Sequence, residues 1–219
     1  MKIDSVIFDL DGVLVFSDKY HYLAWKKMAD EIGVYFDEEI NNRLRGVSRM
    51  ASLEIILENY NGTPLSDVQK EELAAKKNGY YRELLANMQP KDVSDNVRYT
   101  LDQLKKDGYK IAIGSSSKNT KFILERVGLN GVFDAISDGT NIVNSKPDPE
   151  VFLKAAGFLE SEPGRCLVVE DSESGIDAAV AGGMFSAAIG DATKCGKSDY
   201  CINRLSDLVG ILGTDKFCS

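Results

Sequence analysis

The chain has 219 residues, enough for one large domain or a domain with a sizeable insertion. Its 43% hydrophobic and 27% charged content is that of a globular protein, not a disordered one, and no apolar run reaches membrane-spanning length. A net charge of −8 with no basic tract argues against nucleic acid or an anionic membrane as partner, yet leaves room for a phosphorylated substrate, because charges beyond roughly 8 Å are screened and local Arg and Lys decide binding.

The first predicted element is the apolar run before Asp9 and Asp11, which reads as a buried strand entering an Asp-Gly turn at Gly12. Alternation along such a strand would put both carboxylates on one side near its carboxyl end, where open α/β sheets hold ligands. Ser17 is then placed as a helix N-cap, with Tyr20, Leu23, Trp25, Met28 and Ile32 at roughly helical spacing up to Gly33. Further helices are expected from Glu38 to about Leu44, Arg49 to about Tyr60 and Ser66 to about Met88, with no clear strand among them. Residues 15–92 are therefore expected to be an inserted helical domain, and residues 1–14 with 93–219 the core.

Strand and helix alternate thereafter, which predicts a Rossmann-like, mostly parallel α/β sheet. Ser94 caps a helix carrying Val97, Leu101 and Leu104, Gly108 ends it, and a strand runs from Tyr109 to Ile113 into Gly114 and Ser115. A helix from about Asn119 to Val127 and a strand near Phe133 to Ile136 follow. Lys146 and Pro147 lead to a helix with Pro149 at an early helical position. Cys166 to Val169 is a strand ending in Glu170 and Asp171, followed by a helix from about Gly175 to Ala181 and a strand from Met184 to Ile189. A weak strand near Tyr200 to Ile202 and a helix near Leu205 to Leu212 close the pattern.

The polar groups at the strand ends share one chemistry. Asp9, Asp11, Glu170 and Asp171 supply oxygen ligands that suit Mg²⁺, Ser115 supplies a hydroxyl and Lys146 a cation, the parts needed to hold a transferring phosphoryl group. With no Walker loop and no GxGxxG after a strand, the expected route is covalent: Asp9 attacks phosphorus to give an aspartyl phosphate, and Asp11 acts as general acid and base. Asp171 is expected to ligate the metal, with Glu170 acting on it directly or through water. Taken singly, Asp9 and Asp11 also read as turn acids, Ser115 as a turn residue and Lys146 as a surface cation; their joint order favours chemistry.

In that order the residues resemble the haloacid dehalogenase superfamily: DxD followed by Gly at Asp9, Asp11 and Gly12, then Ser115, Lys146 and the pair Glu170 and Asp171. Within it the chain is most similar to the β-phosphoglucomutase family, through Tyr20 to Lys26, Arg45 to Arg49, Lys76 to Asn78, Ser115 to Asn119 and Ser145 to Pro149. The resemblance implies Mg²⁺-dependent interconversion of β-D-glucose 1-phosphate and glucose 6-phosphate through the 1,6-bisphosphate, with a sugar-phosphate phosphatase as the alternative. It assigns metal contacts to Asp9, Asp11 (through its carbonyl), Glu170 and Asp171, and the transferring phosphate to Ser115 and Lys146. The other phosphate falls to Arg49, Ser117 and Asn119, flanked by Lys118. His21 and Lys77 become cap groups that respond to substrate and help place Asp11, and Gly46, Val47 and Ser48 belong to a cap signature. Trp25 reads as core packing or cap lining. Three positions depart from the family: Phe16 stands for a usual Asp, Ser17 for Thr and Arg45 for Lys.

Cys166, Cys195, Cys201 and Cys218 form no CxxC pair and read as reduced thiols. With no signal sequence evident, the expectation is a cytoplasmic monomer acting on a phosphorylated sugar, without nucleic-acid or membrane partner.

Overall fold

The computed structural model describes residues 3–44 and 48–214. The chain divides into two compact units, residues 17–88 and the remainder on either side. In chain order the first strand, β1 (Ser5–Phe8), is followed by the four helices of the 17–88 unit: α1 (Asp18–Glu31), α2 (Glu38–Asn42), α3 (Arg49–Leu57) and α4 (Asp67–Leu85). The other unit continues with α5 (Asp95–Lys106), β2 (Lys110–Gly114), α6 (Thr120–Arg126) and β3 (Ala135–Ser137). It ends with α7 (Glu150–Phe158), β4 (Cys166–Glu170), α8 (Glu173–Ala181), β5 (Phe185–Ala188), β6 (Tyr200–Cys201) and α9 (Asp207–Thr214).

The six strands form one sheet in the order β3-β2-β1-β4-β5-β6, and every pairing is parallel. Strand order reverses between β1 and β4, so the crevice beyond their carboxyl ends is where such a sheet takes a ligand. β1 and β4 are buried along their whole length, which is why they read as unbroken apolar runs and not as alternation. On one face Ile7, Ala112 and Val168 pack with Val151, Phe152, Ala155 and Ala156 of α7 and Ala178 and Ala179 of α8. The alanines let both helices approach the sheet closely, while Phe152 fills the space over Gly114, where a Cβ would lie 2.5 Å from its ring. In α5 the buried residues Val97, Thr100, Leu101 and Leu104 follow one helical stripe, and Ser94 Oγ accepts from Val97 N at the start.

The helical unit has its own core of Trp25, Met28, Ala29, Val34, Phe36, Leu44, Leu53, Ile56 and Ala74. Its longest helix, α4, starts with a capping box: Ser66 Oγ accepts from Gln69 N, and the Gln69 side chain returns a bond to Ser66 N. Arg45, Gly46 and Val47 of the cap signature lie outside the described residues, as does Cys218. Cys166 is buried, Cys195 half-buried and Cys201 exposed, all as free thiols. Among the described residues no helix is long and apolar enough to cross a membrane.

Several boundaries differ from the sequence reading. β1 stops at Phe8, so two-residue alternation does not carry on to Asp11; a tight turn does, with Gly12 N donating to Val15 O and Gly12 at φ +87°. Ser17 occupies the N-cap of α1, yet its hydroxyl makes no capping bond and accepts from Tyr81 Oη at 2.9 Å. Pro149 is the residue before α7, not within it, and α8 begins at Glu173, ahead of Gly175, because Ser172 Oγ caps it through Gly175 N. α3 ends at Leu57 and α4 at Leu85, each about three residues early.

Candidate active site

Sheet register brings the first groups together. Phe8 pairs with Val169 on one side and Ile113 on the other, so Asp9 and Glu170 leave adjacent strands side by side and Gly114 and Ser115 lie on the opposite flank. Ile7 and Val168 lie in the core cluster with Phe152, so the residues two further on, Asp9 and Glu170, point to the face that α7 covers. The segment leading into α7 carries Lys146 onto both: its ammonium lies 2.5 Å from Asp9 Oδ1, in contact with Glu170 Oε1, and 4.7 Å from the centre of the Phe152 ring. The Lys146–Pro147 peptide is cis.

All three groups are buried, Glu170 completely and Asp9 to within 7%. Burial raises the Asp9 carboxyl well above the usual carboxylate range; Lys146 opposes this, while the charges of Glu170, Asp171 and Asp11 add to it. Burial by itself would lower Lys146, but the charges and hydrogen bonds of Asp9 and Glu170 outweigh it and hold the ammonium protonated, above an ordinary lysine. Ser172 secures Glu170 through its amide (3.0 Å) and hydroxyl (2.9 Å), both to Oε2. Two buried carboxylates thus share one ammonium.

Ser115 follows β2, buried, with its amide on Ser137 O. Its hydroxyl accepts from Ser117 N at 3.2 Å, and the Ser117 hydroxyl accepts from Asn119 N at 3.2 Å. Both oxygens act as acceptors toward their own loop, so each hydroxyl proton is available for an anion. Asn119 is buried and Lys118 exposed.

The helical unit holds the remaining residues. His21 Nδ1 meets the buried Lys77 ammonium at 2.9 Å, and the His21 ring packs on Tyr81 with centroids 4.0 Å apart. Lys77 also sits 4.6 Å above the buried Trp25 ring, which makes Trp25 part of the packing that sets Lys77. Burial, then Lys77, then Arg49 keep His21 neutral, its pKa well below the usual histidine value. Arg49 opens α3, half-buried, and donates to Asn78 Oδ1 at 2.9 Å. Ser48 caps the same helix through Ala51 N. Phe16 is 74% exposed.

Residues 3–183 match the haloacid dehalogenase-like hydrolase family. The chain belongs to that family. It is 40% identical over 206 residues to the β-phosphoglucomutase of Bacillus subtilis, covering 93% of this chain and 91% of that protein. It is 30% identical to a phosphorylated carbohydrates phosphatase of Thermotoga maritima, over 83% of this chain and 82% of that one. The crystal structure of a β-phosphoglucomutase from Clostridium difficile superposes with a TM-score of 0.89 at 35% identity, covering 98% of both chains. This haloacid dehalogenase-like hydrolase is therefore an enzyme with relatives in both an isomerase and a phosphatase class.

Asp9, Ser115 and Glu170 thus stand at the carboxyl edge of β1, β2 and β4, with Lys146 bonded to the first and the last. Among the described residues no three His, Cys, Asp or Glu side chains group closely enough to hold a metal by themselves. Lys146 stands between Asp9 and Glu170 and bonds to both. The donor chemistry nevertheless fits Mg²⁺, which needs only a few protein oxygens and keeps waters. A Cβ on Gly12 would lie 1.9 Å from Asp171 Oδ2, so the glycine lets that carboxylate press against the peptide of Asp11. Asp9 and Asp171 carry oxygens of the kind such an ion takes, and it would relieve the negative charge that Asp171 and Asp11 place on Asp9.

Two supporting residues escaped the sequence reading of this haloacid dehalogenase-like hydrolase. Ser172, directly after the acidic pair, holds Glu170 while capping α8. Glu150 binds the segment before Lys146; an acid directly after Pro149 was its only signal in the sequence.

Proposed function

We propose that this enzyme transfers a phosphoryl group through an aspartyl phosphate on Asp9 and, with Mg²⁺, interconverts β-D-glucose 1-phosphate and glucose 6-phosphate through the 1,6-bisphosphate. The observation that carries the reading is Asp9 held by Lys146 beside Glu170 at the strand switch, in a chain 40% identical to a β-phosphoglucomutase along nearly its whole length. Asp9 attacks phosphorus, and Lys146 and Ser115 offset the charge that builds on the phosphoryl oxygens. Asp11 gives a proton to the leaving oxygen and takes one from the incoming sugar hydroxyl. Asp9, Asp171 and the Asp11 carbonyl, with Glu170 in support, would hold Mg²⁺, which would supply Lewis-acid charge that lets two anions meet.

A mutase also needs a grip on a second phosphate; Ser117, Lys118 and Asn119 carry donors of that kind, and so, within the helical unit, does the Arg49 guanidinium. In the helical unit His21 and Lys77 are read as groups that respond to substrate. The second reading is a sugar-phosphate phosphatase, in which water attacks the aspartyl phosphate; the phosphatase relative at 30% identity favours it.

Incubation with Mg²⁺, β-glucose 1-phosphate and a trace of the 1,6-bisphosphate separates the two. Glucose 6-phosphate without loss of ester phosphate is the expected product. Release of free phosphate with no glucose 6-phosphate would establish the hydrolase instead.

A further inference from the structure

Lys146 is buried, but the segment before it is not: Val143 is 90% exposed and Asn144 is on the surface. An ammonium that must sit within hydrogen-bond reach of two carboxylates needs that segment fixed, and Glu150 fixes it. Both Glu150 oxygens accept from Val143 N, at 3.1 and 3.0 Å, and Oε2 also accepts from Asn144 N at 2.7 Å. Lys154, one turn on, binds Oε1 at 2.7 Å and reaches Asn141 O at 2.5 Å, so a second point of the same segment is tied to α7. On the other side of Lys146, Asp148 N donates to Ser145 O and Asp148 Oδ1 accepts from Glu150 N. Glu150 is the first residue of α7, whose Phe152 lies beneath the Lys146 ammonium.

We propose that Glu150 is a positioning residue: it clamps the amides of residues 143 and 144 so that Lys146, two residues further on, is delivered to Asp9 and Glu170. The ion pair with Lys154 and the two amides pull its carboxyl down to about 2, so the clamp stays anionic across the working pH range. The proposal rests on the reading that Lys146 assists phosphoryl transfer. It concerns a side chain that touches neither substrate nor metal.

The test is a double-mutant cycle on turnover of β-glucose 1-phosphate with Mg²⁺ and the 1,6-bisphosphate, scoring both glucose 6-phosphate and free phosphate. Glu150→Ala should lower kcat by on the order of tenfold to a hundredfold with KM nearly unchanged, since a misplaced cation is felt in the transition state. Glu150→Gln, which keeps the length and one acceptor oxygen, should fall between, and it serves if the alanine variant does not fold. In a Lys146→Ala background, Glu150→Ala or Glu150→Gln should cause no further loss. Additive losses, or a full kcat for the Glu150 variants while Lys146→Ala is crippled, would overturn the positioning role alone. Full activity of Lys146→Ala would remove the underlying reading and this proposal with it.

Discussion

Gly175 faces two opposing demands. It lies in the first turn of α8, where alanine would be favoured by about 1 kcal/mol on helix propensity. Yet a Cβ there would fall 1.9 Å from Glu170 Cδ, and Glu170 cannot retreat because Lys146 and Ser172 hold its two oxygens. Forcing extra volume into a packed site costs about 1–3 kcal/mol, and here the displaced group is a buried, paired carboxylate. The clash wins: Gly175→Ala should destabilise the protein by about 1–2 kcal/mol in urea unfolding and depress turnover with it. A variant of equal or higher stability would mean that the Glu170 carboxylate is free to shift.

Between α1 and α4 the decisive contact is an ammonium facing a neutral imidazole. His21 is faced by Lys77 and Tyr81 from α4 and by the charge of Arg49 from α3, and its folded-state pKa lies well below 6.5. As pH falls below about 6.5, the unfolded chain takes up a proton that the folded one refuses, so stability is complete above that value and declines beneath it. The contribution is at most about 1.4 kcal/mol per pH unit. A His21→Asn variant should lose that part of the acid slope, measured as denaturation midpoint against pH for both proteins. Parallel curves would mean that His21 titrates normally in the folded chain. At this scale much was legible in the sequence. The strand ends showed because β1 and β4 are buried on both faces, and α5 because its apolar stripe is clean. The clamp by Glu150, the hold of Ser172 on Glu170 and the end of β1 at Phe8, ahead of Asp11, were not, since each depends on where backbone amides point once the loop has closed.

Across the molecule, a chain of net charge −8 is read as binding a dianionic substrate, and the local arrangement reconciles the two. The acids that matter are spent at one sheet edge around Lys146, whose two carboxylate contacts keep it charged while buried. Order along the chain showed which strand tips carry acids and a serine. The ammonium seated between Asp9 and Glu170 follows only from the all-parallel topology and the register of β1 with β4. Every step proposed for this enzyme requires that phosphorus become bonded to Asp9. Incubating the enzyme with Mg²⁺ and glucose 1,6-bisphosphate, trapping acyl phosphate by borohydride reduction and mapping the peptides tests it most directly. Reduction at Asp9, absent from an Asp9→Asn control, is the predicted result; reduction at another acid, or at no residue of an actively turning-over enzyme, would contradict it.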